Sequence, residues 1–171
     1  MFDFFTYFIY ISLLVTLILL TSYKQKFATA ELPFETLPKL RMQHFVALLL
    51  IAFIVGFRYE VGNDWEGYKI GFETIKNSPY LSFSNQYLEP GYFFINKIIA
   101  NLGLSYEWMF FTVALLTWYF YFKSVPKFLL PLFIFFLFVD EYFFWGMNGV
   151  RQFVAMSIWL VAIKYIINKN L

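Results

Sequence analysis

The sequence predicts an all-α integral membrane protein, with about five transmembrane helices and two interfacial amphipathic helices in a long outer loop. Composition is the first observation behind this fold class: of 171 residues, 61% are apolar and 14% are charged, against roughly 25% charged in an average soluble domain. A chain of 20.5 kDa cannot bury so much apolar surface in its own interior, because small domains leave a large part of their surface outside. Lipid is therefore expected to cover much of it.

The second observation is a series of long apolar segments. About 20 apolar residues cross roughly 30 Å of hydrocarbon, and fewer suffice where a terminal Lys or Arg can snorkel. The predicted spans of this single domain, 1–171, lie near 4–23, 42–57, 107–122, 128–145 and 152–167. The first is followed by Ala28-Thr29-Ala30, a pattern typical of signal-peptide cleavage, but no Lys or Arg precedes it. We therefore expect a helix that is retained.

Segment 91–104 decides the topology, because it is apolar but short and contains three polar residues. If it does not span, eight of the 13 basic residues lie on the inner side, as the positive-inside rule favours. These are Lys24, Lys26, Lys39, Arg41, Lys123, Lys127, Lys164 and Lys169. If it spans, the last four move outside. We therefore predict a multi-pass protein with its N-terminus outside, its C-terminus inside and an outer loop over 58–106.

Two helices are predicted inside this loop. The first begins after Asn63 or Asp64, either of which can cap it, and its apolar stripe has spacings of three and four. This stripe comprises Trp65, Tyr68, Phe72 and Ile75. The second begins at Pro90, where the missing N–H costs nothing. Its apolar side comprises Tyr92, Ile95, Ile99 and Leu102. Both helices are expected to lie on the outer interface.

The first candidate site is the segment 58–68, where the second span emerges. Arg58 can bind a phosphate bidentately at headgroup depth, or it can be a plain interfacial anchor. Asp64 follows Gly62 on a turn, where its carboxylate can accept a proton from a hydroxyl or can cap the following helix. The residues alone leave both pairs of alternatives open.

The second candidate site is the segment 145–152, between the last two spans. Gly146 and Gly149 interrupt helicity, and Arg151 then falls in the first turn of the last span. A helix N-terminus and a guanidinium both favour an anion. The alternative is that Arg151 is neutralised by Asp140 or Glu141.

Several chemistries are excluded by residue content. The chain has no Cys and one His, His44, so thiolate chemistry, a histidine-based triad and a multi-histidine metal site cannot form within it. No phosphate-cradling glycine loop is present. A net charge of +2 gives no sign of a nucleic-acid partner. We expect no cofactor and no metal.

Three motifs in order carry a family resemblance. They are Gly62-Asn63-Asp64-Trp65 followed by Tyr68, then Glu89-Pro90-Gly91-Tyr92, then Asn148-Gly149-Val150-Arg151-Gln152. With them the chain resembles the EpsG-like, Wzy-type polysaccharide polymerases of bacteria. The resemblance implies polymerisation of capsular, exopolysaccharide or O-antigen repeat units carried on undecaprenyl pyrophosphate, at the outer face of the inner membrane. Members are longer, so it also implies that this chain corresponds to the N-terminal portion of such a membrane glycosyltransferase.

The resulting hypothesis gives Asp64 the role of base and Arg58 and Arg151 the role of pyrophosphate ligands. Five residues are expected to support them: Trp65, Tyr68, Glu89, Asn148 and Gln152. Expected partners are the lipid-linked oligosaccharide, membrane lipid and other polysaccharide-assembly membrane proteins. Two alternatives remain at this point: a transporter or flippase component that binds pyrophosphate without bond chemistry, and a non-catalytic membrane scaffold.

Overall fold

The computed structural model describes residues 4–22, 40–78 and 89–167, without the side chains at 164, 165 and 167. All the regular structure in these ranges is helical, which confirms the all-α prediction. The helices are α1 (Phe4–Ser22), α2 (Met42–Gly56), α3 (Trp65–Asn77), α4 (Pro90–Asn101), α5 (Tyr106–Ser124), α6 (Leu130–Val139), α7 (Tyr142–Asn148) and α8 (Val150–Ile167), with a 3-10 turn at Lys127–Leu129.

Part of the sequence argument falls outside the described residues. This part comprises the basic residues Lys24, Lys26, Lys39 and Lys169 and the segment Ala28-Thr29-Ala30. The side chain of Lys164 is likewise not described. The sidedness of the protein therefore stays a prediction.

One expected span is not a single helix. The segment 128–145 is divided into α6 and α7 by Asp140 and Glu141, both of which are exposed. Glu141 has a φ of 61°, in the left-handed region, and a residue in that conformation cannot continue a right-handed helix. Two adjacent carboxylates are better solvated at such a break than inside an apolar helix.

By length and composition, one described helix, α1, could cross a bilayer unaided. A second candidate is α5 taken together with 127–139, which meets the same criterion only if the 115° bend between them belongs to one broken span. Helix α2 and the segment Val150–Ile163 are apolar but shorter. That five segments cross a membrane stays a prediction.

Helix α5 is the centre of the bundle, packing most extensively against α2 and α8. Its approach to α2 is close, since a Cβ added at Gly56 would lie 2.4 Å from the Phe111 Cα. The C-terminal part of α5 joins a core built with α1, α2, α6 and α7. Its N-terminal part joins a second, smaller core built with α3, α4 and the start of α8, which includes Phe72, Ile99 and Phe110.

The two loop helices form as predicted and pack against each other. The stripe of α3 is buried at Trp65, Phe72 and Ile75. The predicted apolar side of α4 fails at Leu102, which is 68% exposed, because the helix ends at Asn101 and the stripe ends with it.

Lys97 connects the two loop helices. Its Nζ donates to the carbonyls of Ile75 at 3.2 Å and Ser78 at 2.7 Å. A cation at the C-terminus of α3 satisfies carbonyls that have no partner within the helix and complements the negative end of the helix dipole. The contact fixes the relative placement of α3 and α4.

Candidate functional site

Arg58 lies in the turn directly after α2 and is only 6% exposed. Its Nη1 donates to the Val55 carbonyl at 2.7 Å, and its Nε donates to the Val61 carbonyl at 3.0 Å. Its Nη2 crosses to the end of α7 and donates to the Met147 carbonyl at 2.7 Å. The guanidinium carbon lies 4.5 Å from the centroid of the Phe110 ring on α5. One side chain thus ties together α2, the following turn, α5 and α7.

The charge of Arg58 is not balanced by a carboxylate of the described residues, whose ion pairs do not include it. Burial lowers its pKa to about 10, and the neighbouring hydroxyls of Tyr10, Tyr68 and Tyr92 act in the opposite direction. A buried cation without a counter-ion is costly, and an anion placed beside it relieves that cost. The environment of Arg58 is therefore one that an anion would stabilise.

A second hydrogen bond joins the same two turns. The backbone N–H of Asn63 donates to the side-chain Oδ1 of Asn148 at 2.7 Å. Gly62 allows this approach, because it has a φ of 102° and a Cβ there would lie 2.7 Å from the same oxygen. The first and third sequence motifs are thereby placed side by side.

Arg151, in the first turn of α8, brings in the second motif. Its Nη1 lies 2.9 Å from Glu89 Oε2, so its acidic partner is Glu89 rather than Asp140 or Glu141. Its guanidinium carbon is 6.0 Å from the Tyr68 ring centroid and 5.9 Å from that of Tyr92. The Nε atom is buried and has no hydrogen-bond partner among the described residues.

Both arginines lie near one pair of tyrosines. The rings of Tyr68 and Tyr92 are 6.0 Å apart between centroids. Burial raises the pKa of Tyr92, while Asn96, Arg151 and Arg58 counteract this. Because both cations act on the same phenol, the structure brings the predicted arginines into one site.

Asp64 is exposed and occupies the predicted N-cap position of α3. Its side chain makes no capping hydrogen bond, so the carboxylate is not used by the cap. The adjacent Trp65 is buried and donates from its Nε1 to the Arg58 carbonyl at 3.3 Å. Asp64 is thus an accessible carboxylate on a turn that is held by buried Trp65 and by the Asn63–Asn148 hydrogen bond.

Other residues had weaker sequence signals. Gln152 is exposed, and its Oε1 folds back to within 2.6 Å of where a Cβ at Gly149 would lie. The contacts of Arg58 with Phe110 and with the Met147 carbonyl had no signal in the sequence, because they join helices distant along the chain. Tyr92 did have a sequence signal, because it belongs to the motif 89–92. The position of its ring next to both arginines was not predicted.

The single histidine has a structural role, and no metal site is formed by the described residues. His44 is buried, and its Nδ1 accepts the backbone N–H of Arg41 at 3.0 Å, at the start of α2. Within the described ranges, no group of three or more His, Asp or Glu residues is placed to hold a metal ion.

These features define a bundle of mostly apolar helices, in which two arginines and several motif residues meet. The EpsG family profile matches residues 42–171, and the chain belongs to the EpsG family. It is therefore a membrane-associated protein of a family connected with polysaccharide biosynthesis. No curated protein matches the chain, and no solved structure does so. Every residue of the site lies within the matched range.

Proposed function

We propose that this chain takes part in polymerising lipid-linked oligosaccharide repeat units into capsular polysaccharide, exopolysaccharide or O-antigen. The observation that carries the proposal is the pair of guanidiniums near Tyr68 and Tyr92, one of them buried without a carboxylate partner. Family membership supports the polymerase-type role. The proposed substrate is an oligosaccharide on undecaprenyl pyrophosphate at the outer face of the bacterial inner membrane, with the N-terminus outside and other polysaccharide-assembly membrane proteins as partners.

The diphosphate would bind at Arg151, the more accessible of the two arginines. The contact of Arg151 with the exposed Glu89 carboxylate is one that a phosphate can replace. Arg58 is buried and would stabilise the diphosphate through the electrostatic field of its uncompensated charge, without direct contact. Guanidiniums fixed before the reaction stabilise charge that develops on a leaving group, and such preorganised contacts are commonly worth about 3–4 kcal/mol each. Two guanidiniums can neutralise the departing pyrophosphate without a metal.

Asp64 would act on the acceptor. An acceptor hydroxyl oxygen attacks the anomeric carbon of the donor sugar, and the bond from that carbon to the pyrophosphate oxygen breaks. The hydroxyl proton passes to the Asp64 carboxylate, and the bonding electron pair leaves with the pyrophosphate. General base catalysis of this kind contributes a factor of about 10² to 10⁴ in rate.

The test compares Asp64→Asn with Asp140→Asn in cells that lack the native gene. Both residues are exposed aspartates at the end of a helix or turn, so Asp140→Asn controls for loss of a surface charge. We expect Asp64→Asn to leave single repeat units on the lipid carrier, and Asp140→Asn to give polymer of normal length on a gel. Normal polymer from Asp64→Asn would refute the assignment of the base.

A second variant separates polymerisation from transport. Arg151→Lys keeps the charge but loses the planar fork that binds phosphate bidentately. If Arg151→Lys abolishes polymer while Asp64→Asn does not, pyrophosphate binding without bond chemistry is supported, as in a transporter. Loss of polymer in both variants, with repeat units still reaching the outer face, supports the polymerase.

A further inference from the structure

A cleft of about 360 Å³ lies beside the arginine site, between the turn after α2 and the beginning of α3. This volume is in the range of about 300–1,000 Å³ that is usual for ligand pockets. Its lining side chains are Glu60, Asn63, Trp65, Glu66, Lys69 and Ile70. None of the roles proposed above uses the cleft.

The polar groups of the cleft suit a ligand with several hydroxyls. Glu60, Asn63 and Glu66 are exposed, so their oxygens are accessible. Two carboxylates can each accept hydrogen bonds from a pair of adjacent hydroxyls, while the Asn63 amide can both donate and accept. An apolar ligand would leave these hydrogen-bond acceptors without partners, so the cleft suits a polar ligand.

Aromatic rings adjoin these polar groups. The Tyr59 ring is 67% exposed and packs edge-on against Trp65, with 5.3 Å between centroids. The Nζ of Lys69 lies 5.3 Å from the Trp65 ring and 5.2 Å from the Tyr106 ring, which holds the ammonium at the wall of the cleft. An exposed ring next to hydroxyl-binding groups matches a sugar, which has an apolar C–H face and a polar rim.

The backbone at Glu60 is held in an unfavourable conformation. Its φ is 53°, in the left-handed region that disfavours residues with a Cβ. A hydrogen bond from the Tyr59 hydroxyl to Glu60 raises the pKa of that phenol, so ring and carboxylate lie together. Gly would fit this backbone at lower cost.

We propose that this cleft is a subsite for a neutral or amino sugar of the acceptor glycan, next to Asp64. The identity of the ligand as acceptor glycan rests on the proposed function. Two carboxylates against one ammonium give the cleft a negative balance, which repels a uronate or phosphate-substituted sugar. Since the turn 58–64 forms both this cleft and the arginine site, a sugar held here presents its hydroxyl at the junction of the two.

The experiment uses the two glutamates that have a positive φ among the described residues. Glu60→Gly removes the carboxylate and relieves the backbone strain, which offsets the entropy that glycine adds to the unfolded chain, so little change in stability is expected. Glu141→Gly does the same at an exposed position away from the cleft, with a φ of 61°, and is the matched control. Both variants of the full chain are placed in nanodiscs and titrated, by surface plasmon resonance, with oligosaccharides released from the surface polysaccharide of the source cells.

We expect Glu60→Gly to weaken binding by about tenfold or more, the usual consequence of losing a charged hydrogen-bond acceptor, and Glu141→Gly to bind like the wild type. Glu66→Gln should weaken binding in the same direction. Equal affinity of Glu60→Gly and wild type, or no binding by the wild type, would overturn the subsite. Asp64→Asn should still bind the oligosaccharides. Normal polymer from that variant would therefore refute Asp64 as the base without touching the glycan-binding cleft, and the two failures are distinguishable.

Discussion

Arg58 and Arg151 are both motif arginines near one pair of tyrosines, yet their surroundings differ. Arg58 is 6% exposed, and its guanidinium donates to three backbone carbonyls. Arg151 has a side chain that is 30% exposed and pairs with a carboxylate that is 61% exposed. Arg58 therefore joins parts of the fold together, whereas the partner of Arg151 can be exchanged for a ligand. Residue type and motif position did not distinguish these roles.

The largest expected effect is that of Arg58→Met. The substitution leaves the carbonyls of Val55, Val61 and Met147 without their donor, and each unsatisfied buried group costs about 1–3 kcal/mol. Part of this is offset because an uncompensated buried charge is removed, so we expect a net loss of about 3 kcal/mol in the free energy of unfolding. Thermal unfolding in detergent micelles, followed by helix content, measures it. A melting temperature equal to that of the wild type would contradict the clamp role of Arg58.

The next effect tests the packing that places Arg58 at the end of α2. Gly56→Ala puts a Cβ 2.4 Å from the Phe111 Cα, and because backbone atoms cannot move aside locally, the α2–α5 contact must open. Overpacking of this kind costs about 1–3 kcal/mol, and the same unfolding measurement detects it.

The control for Gly56→Ala is Gly67→Ala in α3. A Cβ at Gly67 meets nothing within 4 Å, so the substitution should stabilise that helix by about 0.5–1 kcal/mol. If both variants were stabilised, the close approach of α2 and α5 would be wrong.

A smaller effect is expected for Asn148. In Asn148→Leu the Asn63 N–H loses its acceptor, which costs about 1 kcal/mol, while Asn148→Asp retains an oxygen at this position. Hydrogen exchange at the Asn63 amide should accelerate in Asn148→Leu and remain slow in Asn148→Asp. Equal rates in both would show that the two turns do not depend on this bond.

The smallest effect on stability belongs to Arg151→Met. A partly exposed ion pair contributes about 0–1 kcal/mol, so the free energy of unfolding should fall by less than that amount. Polymer production should nevertheless be lost, because the guanidinium that faces the diphosphate is gone. A stability loss as large as that of Arg58→Met would erase the distinction between the two arginines.

Much of the fold could be predicted from periodicity. The stripe of α3 and the Pro90 start of α4 follow from local rules, and the structure has both helices. The break at Asp140 and Glu141 was not predicted. The apolar segments on both sides are typical of one continuous helix, and nothing in the local sequence indicates that Glu141 has a left-handed backbone. The choice of Glu89 as partner of Arg151 also escaped prediction, since it depends on how α4 and α8 pack.

The sequence by itself determined that this chain is helical, apolar and equipped with two motif arginines and an aspartate, because composition and helical spacing are local properties. Only the tertiary structure decided that the three motifs meet at one end of the bundle. The Asn63–Asn148 bond joins two of them, although more than 80 residues separate these positions in the chain. The tertiary structure also decided which arginine is enclosed and which is accessible. The physical reason is that burial and the choice of hydrogen-bond partner depend on the packing of whole helices, and no short stretch of sequence contains that packing.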